Sequence, residues 1–110
     1  MNTSKKELAK SWLKRYTGSA PDEIGRWILL TNFQIYVDKF AERFNIPVKG
    51  IGGPMTSTTN SDGLSIINFG MGSANAATIM DLLSSVEPSG VLFLGKCGGL
   101  KKSTDIGHFI

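Results

Sequence analysis

The stretch NFGMGSANAATIMDLL, Asn68 to Leu83, sets Gly70 and Gly72 around Met71 where a strand pattern gives way to a helix pattern. Glycines at such a junction let backbone N–H groups face an anion at the helix amino terminus, so phosphate is the first chemistry to consider. Two stricter phosphate signatures fail. In the dinucleotide fingerprint G-x-G-x-x-G the third glycine is replaced by Asn75, and the segment VLFLGK, about 20 residues on, holds no acidic residue for a ribose hydroxyl. Gly90 to Lys96 matches the spacing G-x-x-x-x-G-K, but the four residues between are strand formers, and Cys97 stands where a hydroxyl would hold magnesium.

A second glycine-rich turn, GKCGG from Gly95 to Gly99, follows the apolar run VLFL. Read as strand, helix, strand, residues 64–95 form a βαβ unit with a parallel pair in the middle of an α/β sheet. The GMGS and GKCGG turns then open at one carboxyl edge, where ligands of such sheets bind. Tight turns and close helix packing use glycine too, so the glycines alone leave a ligand site and a purely structural role both open. Lys96 offers an ammonium to a phosphate or a carboxylate, and Cys97 reads as a small packing residue. His108 stands apart, and no His, Cys and Asp cluster has zinc-like spacing.

Several elements must position these turns. TSKKELAKSWLKRY is an amphipathic helix, with a capping-box spacing from Ser4 to Glu7 and a stripe of Leu8, Ala9, Trp12, Leu13 and Tyr16. RWILLT is a short strand. NFQIYVDKFAERFN carries Phe33, Tyr36, Val37, Phe40, Ala41 and Phe44 at helical spacing, opposite Gln34, Asp38, Lys39, Glu42 and Arg43. IPVKGIG reads as a strand, and TSTTNSDGLSIINF as two strands joined by an Asn60–Gly63 turn. Ala76, Ile79, Met80, Leu83 and Val86 mark a third helix that stops before Pro88. GVLFLG has the unbroken apolar run of a strand covered on both faces. Trp12 and Trp27 read as core or interface anchors rather than base-stacking platforms.

The chain has 110 residues, 41% hydrophobic and 19% charged, with a mean hydropathy of −0.01, a balance that fits a globular protein and not a disordered one. Its net charge of +3 lies wholly in residues 1–26, where six basic residues face three acidic ones. That run reads as the solvated face of the first helix, so no nucleic-acid partner is expected. One cysteine, no leader-like start and no apolar run near the ~20 residues of a membrane helix point to a cytoplasmic protein without a membrane partner. DIGHFI starts like another strand and stops in it, so the expectation is a domain truncated within its sheet.

Three blocks, ILLTNFQIYVDKFAERF, INFGMGSANAATIMDLL and VLFLGKCGGLKKSTDIGHFI, together resemble the amino-terminal portion of the AMP nucleosidase family, within the purine nucleoside phosphorylase superfamily. The similarity runs from the first helix to the end of the chain, and its third block is the most specific. It implies an α/β/α sandwich, three layers around a mixed, partly parallel sheet, with residues 1–110 forming the amino-terminal part of one phosphorylase-like domain. It also implies a homo-oligomer, a purine nucleotide or nucleoside such as AMP as partner, and no metal or organic cofactor.

Carried over residue by residue, the resemblance places Gly70, Met71 and Gly72 against the ribose. Cys97 and Gly98 line the base pocket, with Lys96 beside them. Thr31 and Asn32 fall where phosphorylases have a Gly-Asp pair, whose glycine helps bind phosphate. The departures carry information: the two phosphate-clamping arginines are matched by Ile35 and Phe93, and the phosphate-contacting serine by Lys96. Without guanidinium forks an orthophosphate site is poor, which disfavours phosphorolysis and agrees with hydrolysis of AMP to adenine and ribose 5-phosphate. Such hydrolysis gains rate from a proton or hydrogen bond at purine N7 and from a carboxylate that orients water. In the resembled family both carboxylates lie further along than Ile110. This chain is then expected to supply the floor of a site without its catalytic groups. The alternatives are an inactive nucleotide-binding or oligomerisation domain, and a phosphorylase or other nucleosidase.

Overall fold

The computed structural model describes residues 3–95. Its elements run α1 (Thr3–Thr17), β1 (Trp27–Thr31), α2 (Gln34–Phe44), β2 (Thr56–Thr59), β3 (Leu64–Asn68), α3 (Ser73–Leu83) and β4 (Gly90–Leu94), with short 3-10 turns at Pro21–Glu23 and Ser84–Val86. The strands form one mixed sheet in the order β2-β3-β1-β4, in which β3, β1 and β4 are parallel and β2 is antiparallel to β3.

Alternation along the strands sorts the sheet into two faces. Ile28 and Leu30 of β1, Ile67 of β3 and the adjoining Phe69 form one core with Ala9 and Leu13 of α1, Met55, and Ile79, Leu82 and Leu83 of α3. Ile66 faces the other way and is 2% exposed. On that side α2 covers β2 and β3, burying Val37 and Ala41. Helices thus flank the sheet on both faces in an α/β/α arrangement.

Several expectations need correcting. α1 already includes Ser4, so the Ser4–Glu7 pair sits inside the helix rather than at its cap. Its stripe is narrower than read: Ala9 and Leu13 are buried and Tyr16 packs beside them, whereas Leu8 and Trp12 are exposed. Trp12 instead stacks on Tyr16, with ring centroids 5.9 Å apart. In α3 the buried residue beside Leu83 is Leu82, while Met80 turns outward. IPVKGIG is not a strand. Pro47 lacks an N–H, and Gly50 and Gly52 turn the chain at positive φ, so only Lys49 pairs, through an isolated bridge to Ser57.

The βαβ reading holds for direction but not for adjacency. The crossover through α3 carries the chain past β1, which lies between β3 and β4 and pairs with both. β4 is also not covered on both faces: Leu92 and Phe93 are 63% and 58% exposed. Among the described strands β4 is one of the two sheet edges, β2 being the other, and α2 sits over β2 and β3. The uncovered face forms a shallow apolar hollow of about 320 Å³ lined by Trp27, Leu29, Leu64 and Leu92. Trp27 lies across Gly90, so tightly that a Cβ there would come within 2.7 Å of its ring.

The expected turn between β2 and β3 is present, and its closure depends on Asn60. Gly63 takes φ +82, and the Asn60 Oδ1 accepts hydrogen bonds from the N–H groups of Asp62 at 2.9 Å and Leu64 at 3.0 Å. Asn60→Ala removes the one oxygen that accepts both bonds, at a residue only 8% exposed. Its expected cost is about 1–3 kcal/mol, read as a lower urea midpoint with an unchanged slope.

Candidate functional site

Thr31 of β1 pairs with both Asn68 of β3 and Leu94 of β4, so the three parallel strands end level with one another. Asn32, Phe69 and Gly95 therefore leave the sheet along one rim. Neighbouring strands lie about 4.8 Å apart, which sets the β3 and β4 exits roughly 10 Å apart across β1. Open α/β sheets bind ligands at this carboxyl edge.

The turn after β3 is built by its own residues. Asn68 Oδ1 accepts the Gly70 N–H at 3.0 Å, closing an Asx turn, and Phe69 N–H donates to the Thr31 carbonyl at 3.0 Å. Gly70 takes φ +81 and Gly72 φ +93, a region that side-chain-bearing residues rarely adopt. Met71 stands at the tip, 80% exposed. Gly72 is the N-cap of α3 and supplies no side-chain cap, and the first turn of that helix holds no acidic residue. The opening N–H groups of α3 have no intrahelical carbonyl, so a partial positive charge faces the rim. The Gly70 N–H, by contrast, is already taken by Asn68.

Thr31 is fully buried and its Oγ1 accepts the Phe33 N–H at 3.1 Å, which fixes the exit from β1 into α2. Next to it, Asn32 Oδ1 is the single buried side-chain polar atom without a hydrogen-bond partner among the described residues. An acceptor left unpaired in a protein interior is costly unless a donor reaches it, so Asn32 marks a point where a donor is wanted. Phe69 and Phe93 pack with ring centroids 5.9 Å apart, making an aromatic wall between the β3 and β4 exits.

The structure thus brings Thr31, Asn32, Gly70, Met71 and Gly72 to one rim. Lys96, Cys97 and Gly98 lie outside the described residues. Ile35 and Phe93, expected from the resemblance to replace clamping arginines, are exposed apolar side chains. Sequence reading passed over Gln34, Thr56 and Asn68, whose side chains meet beneath the turn. Gln34 Oε1 accepts from Thr56 Oγ1 at 2.6 Å and from Asn68 Nδ2 at 2.8 Å. The only sequence signal for this cluster is Asn68 itself, a turn-closing residue two positions ahead of Gly70.

A mixed sheet flanked by helices, with glycine turns at the carboxyl ends of parallel strands, defines an α/β protein with a ligand-type rim. Comparison with known proteins narrows the class. The sequence is 26% identical to AMP nucleosidase of Escherichia coli K12 over a 134-residue alignment, covering 89% of this chain and 28% of that protein. The O157:H7 enzyme gives the same figures. A crystal structure of AMP nucleosidase from Bacteroides thetaiotaomicron is 50% identical and matches with a TM-score of 0.82, covering 87% of this chain and 41% of that one. No family model matches the sequence. In sequence and in fold the chain is AMP nucleosidase-like, and it spans 28% of the length of the curated relatives and 41% of the solved one.

Proposed function

We propose that this chain forms the ribonucleotide-facing rim of an enzyme that hydrolyses the N-glycosidic bond of AMP, releasing adenine and ribose 5-phosphate. The observation that carries the reading is the likeness to AMP nucleosidases over a stretch whose three parallel strands end level, with Asn32 and the Gly70–Gly72 turn side by side. In this reading Met71 lies against the ribose. The orphaned Asn32 oxygen takes a donor from the nucleotide, and Lys96, Cys97 and Gly98 complete the floor beyond β4. Thr31 shapes the rim from beneath. Residues 1–110 then form the amino-terminal part of one phosphorylase-like domain, and the protein works in the cytoplasm as a homo-oligomer.

Hydrolysis is favoured over phosphorolysis because Ile35 and Phe93 give orthophosphate no guanidinium to grip. The rim turns at 32–33, 69–72 and 95 contain no aspartate or glutamate. The acid at N7 and the carboxylate that orients water are therefore assigned to residues outside these turns. The test is release of adenine from AMP by the purified protein, followed by chromatography with and without added orthophosphate. Release is expected to change less than about twofold with phosphate, and oxygen from labelled water should appear in the ribose 5-phosphate. Strict dependence on phosphate would replace hydrolysis by phosphorolysis. Binding of AMP without adenine release would leave an inactive nucleotide-binding domain.

A further inference from the structure

We propose that Gln34 is a positioning residue of this rim, acting through Asn68 to set the Gly70–Gly72 turn, an assignment that rests on reading the rim as a nucleotide site. Four side chains and one backbone group form a directed chain. Gln34 Nε2 donates to Asp38 Oδ1 at 3.0 Å, Asn68 Nδ2 donates to Gln34 Oε1 at 2.8 Å, and the Gly70 N–H donates to Asn68 Oδ1 at 3.0 Å. Thr56 Oγ1 adds a second donor to Gln34 Oε1 at 2.6 Å.

Both ends of this chain admit one direction only. A backbone N–H can only donate, so the Asn68 atom facing Gly70 is its oxygen, and its NH₂ must face Gln34. The Asp38 carboxylate only accepts, so the Gln34 atom facing it is its NH₂, which turns Oε1 towards Asn68. Neither amide can flip without breaking a bond at each end. Each bond also polarises the next: the carboxylate draws on the Gln34 N–H, the Gln34 carbonyl becomes a better acceptor, and Asn68 follows. A residue in the first turn of α2 thereby fixes the turn that carries Met71, although it does not touch that turn. Because Asn68 holds the Gly70 N–H, it also sends any anion past Gly70 to the open end of α3.

Amide hydrogen exchange in the complete protein tests the assignment, with AMP as the binding probe. Gln34→Ala frees the Asn68 amide and should raise exchange at Gly70 about fivefold, the effect of one ordinary net hydrogen bond, and weaken AMP binding by a similar factor. Gln34→Glu combined with Asp38→Asn keeps an oxygen for Thr56 and Asn68, with the new amide at position 38 donating where Gln34 Nε2 did, and should restore Gly70 protection. Exchange at Leu13 in the distant core should not move in either variant. Unchanged Gly70 exchange in Gln34→Ala overturns the proposal, as does an equal rise at Leu13, which would make Gln34 a general stabilising residue. If Gly70 responds as expected while the unsubstituted protein fails to bind AMP, the positioning role stands and the nucleotide reading falls.

Discussion

Replacing Gly18 by alanine is expected to destabilise the protein by about 3 kcal/mol or more. Gly18 follows the last residue of α1 and takes φ +81, and its N–H returns to the Lys14 carbonyl at 2.9 Å as a left-handed helix terminus. A side chain in that conformation costs roughly 1–2 kcal/mol on its own. Here it would also meet backbone: a Cβ on Gly18 would come within 2.3 Å of the Gly50 nitrogen and 2.5 Å of its Cα. Gly50 cannot retreat, because it packs against the Met55 and Thr17 carbonyls from its own left-handed position. Forcing the two segments apart adds an overpacking cost of about 1–3 kcal/mol.

That displacement would also break a buried polar junction between α1 and β2. Ser57 Oγ donates to the Thr17 carbonyl at 2.7 Å, so its contact with Ser19 Oγ at 2.6 Å has Ser19 as donor. Thermal unfolding should show a fall of about 12 °C or more for Gly18→Ala. Gly52→Ala is the control. It also has positive φ, +85, but no atom lies within 4 Å of the added Cβ, so its cost should stay near 1 kcal/mol. Equal effects at the two sites would mean that the approach of Gly18 to Gly50 contributes nothing.

Much of this architecture is legible without coordinates, and the reasons differ by element. α2 and α3 announce themselves by period, since Val37 and Ala41, and Ile79 and Leu83, recur at the spacing a buried helical stripe requires. The turn between β2 and β3 is carried by short-range chemistry in Asn60 and Gly63. Strand order is different in kind. Nothing local in WILLT says that β1 inserts between β3 and β4, because that placement depends on which faces the helices cover. The same holds for Leu92 and Phe93: their apolar run promises burial, and the edge position of β4 decides otherwise.

The candidate site divides along the same line. Gly70 and Gly72 are visible because a strand-to-helix turn needs positive φ, and Asn68 ahead of them is a turn former. Gln34 is not visible. It lies on the polar side of the α2 pattern, 34 residues from Asn68, and gains its meaning only when β3 is laid beside β1 and beneath α2. The unpaired Asn32 oxygen is likewise a property of the packed rim rather than of any motif.

Ile67→Ala should cost about 2–5 kcal/mol, the range for deleting most of a buried aliphatic side chain. Ile67 is fully buried and packs from the central strand β3 into the core shared by α1 and α3. Its register neighbours are Leu30 on one side and Ser57 on the other, so no flexible loop can close over the cavity. Urea unfolding should show a lower midpoint with the slope unchanged. Met80→Ala supplies the contrast, because sequence periodicity places Met80 on the same buried stripe whereas the structure leaves it 47% exposed. That substitution should stay within about 0.5 kcal/mol. The loss at Ile67 should reach the rim as well, since Ile67 adjoins Asn68, whose amide orients the turn at Gly70. Below the unfolding transition, Ile67→Ala should therefore raise amide exchange at Gly70 more than at Gly63, at the far end of β3. If exchange rises equally at both ends, β3 responds as one rigid unit and the turn is not separately sensitive to the core beneath it.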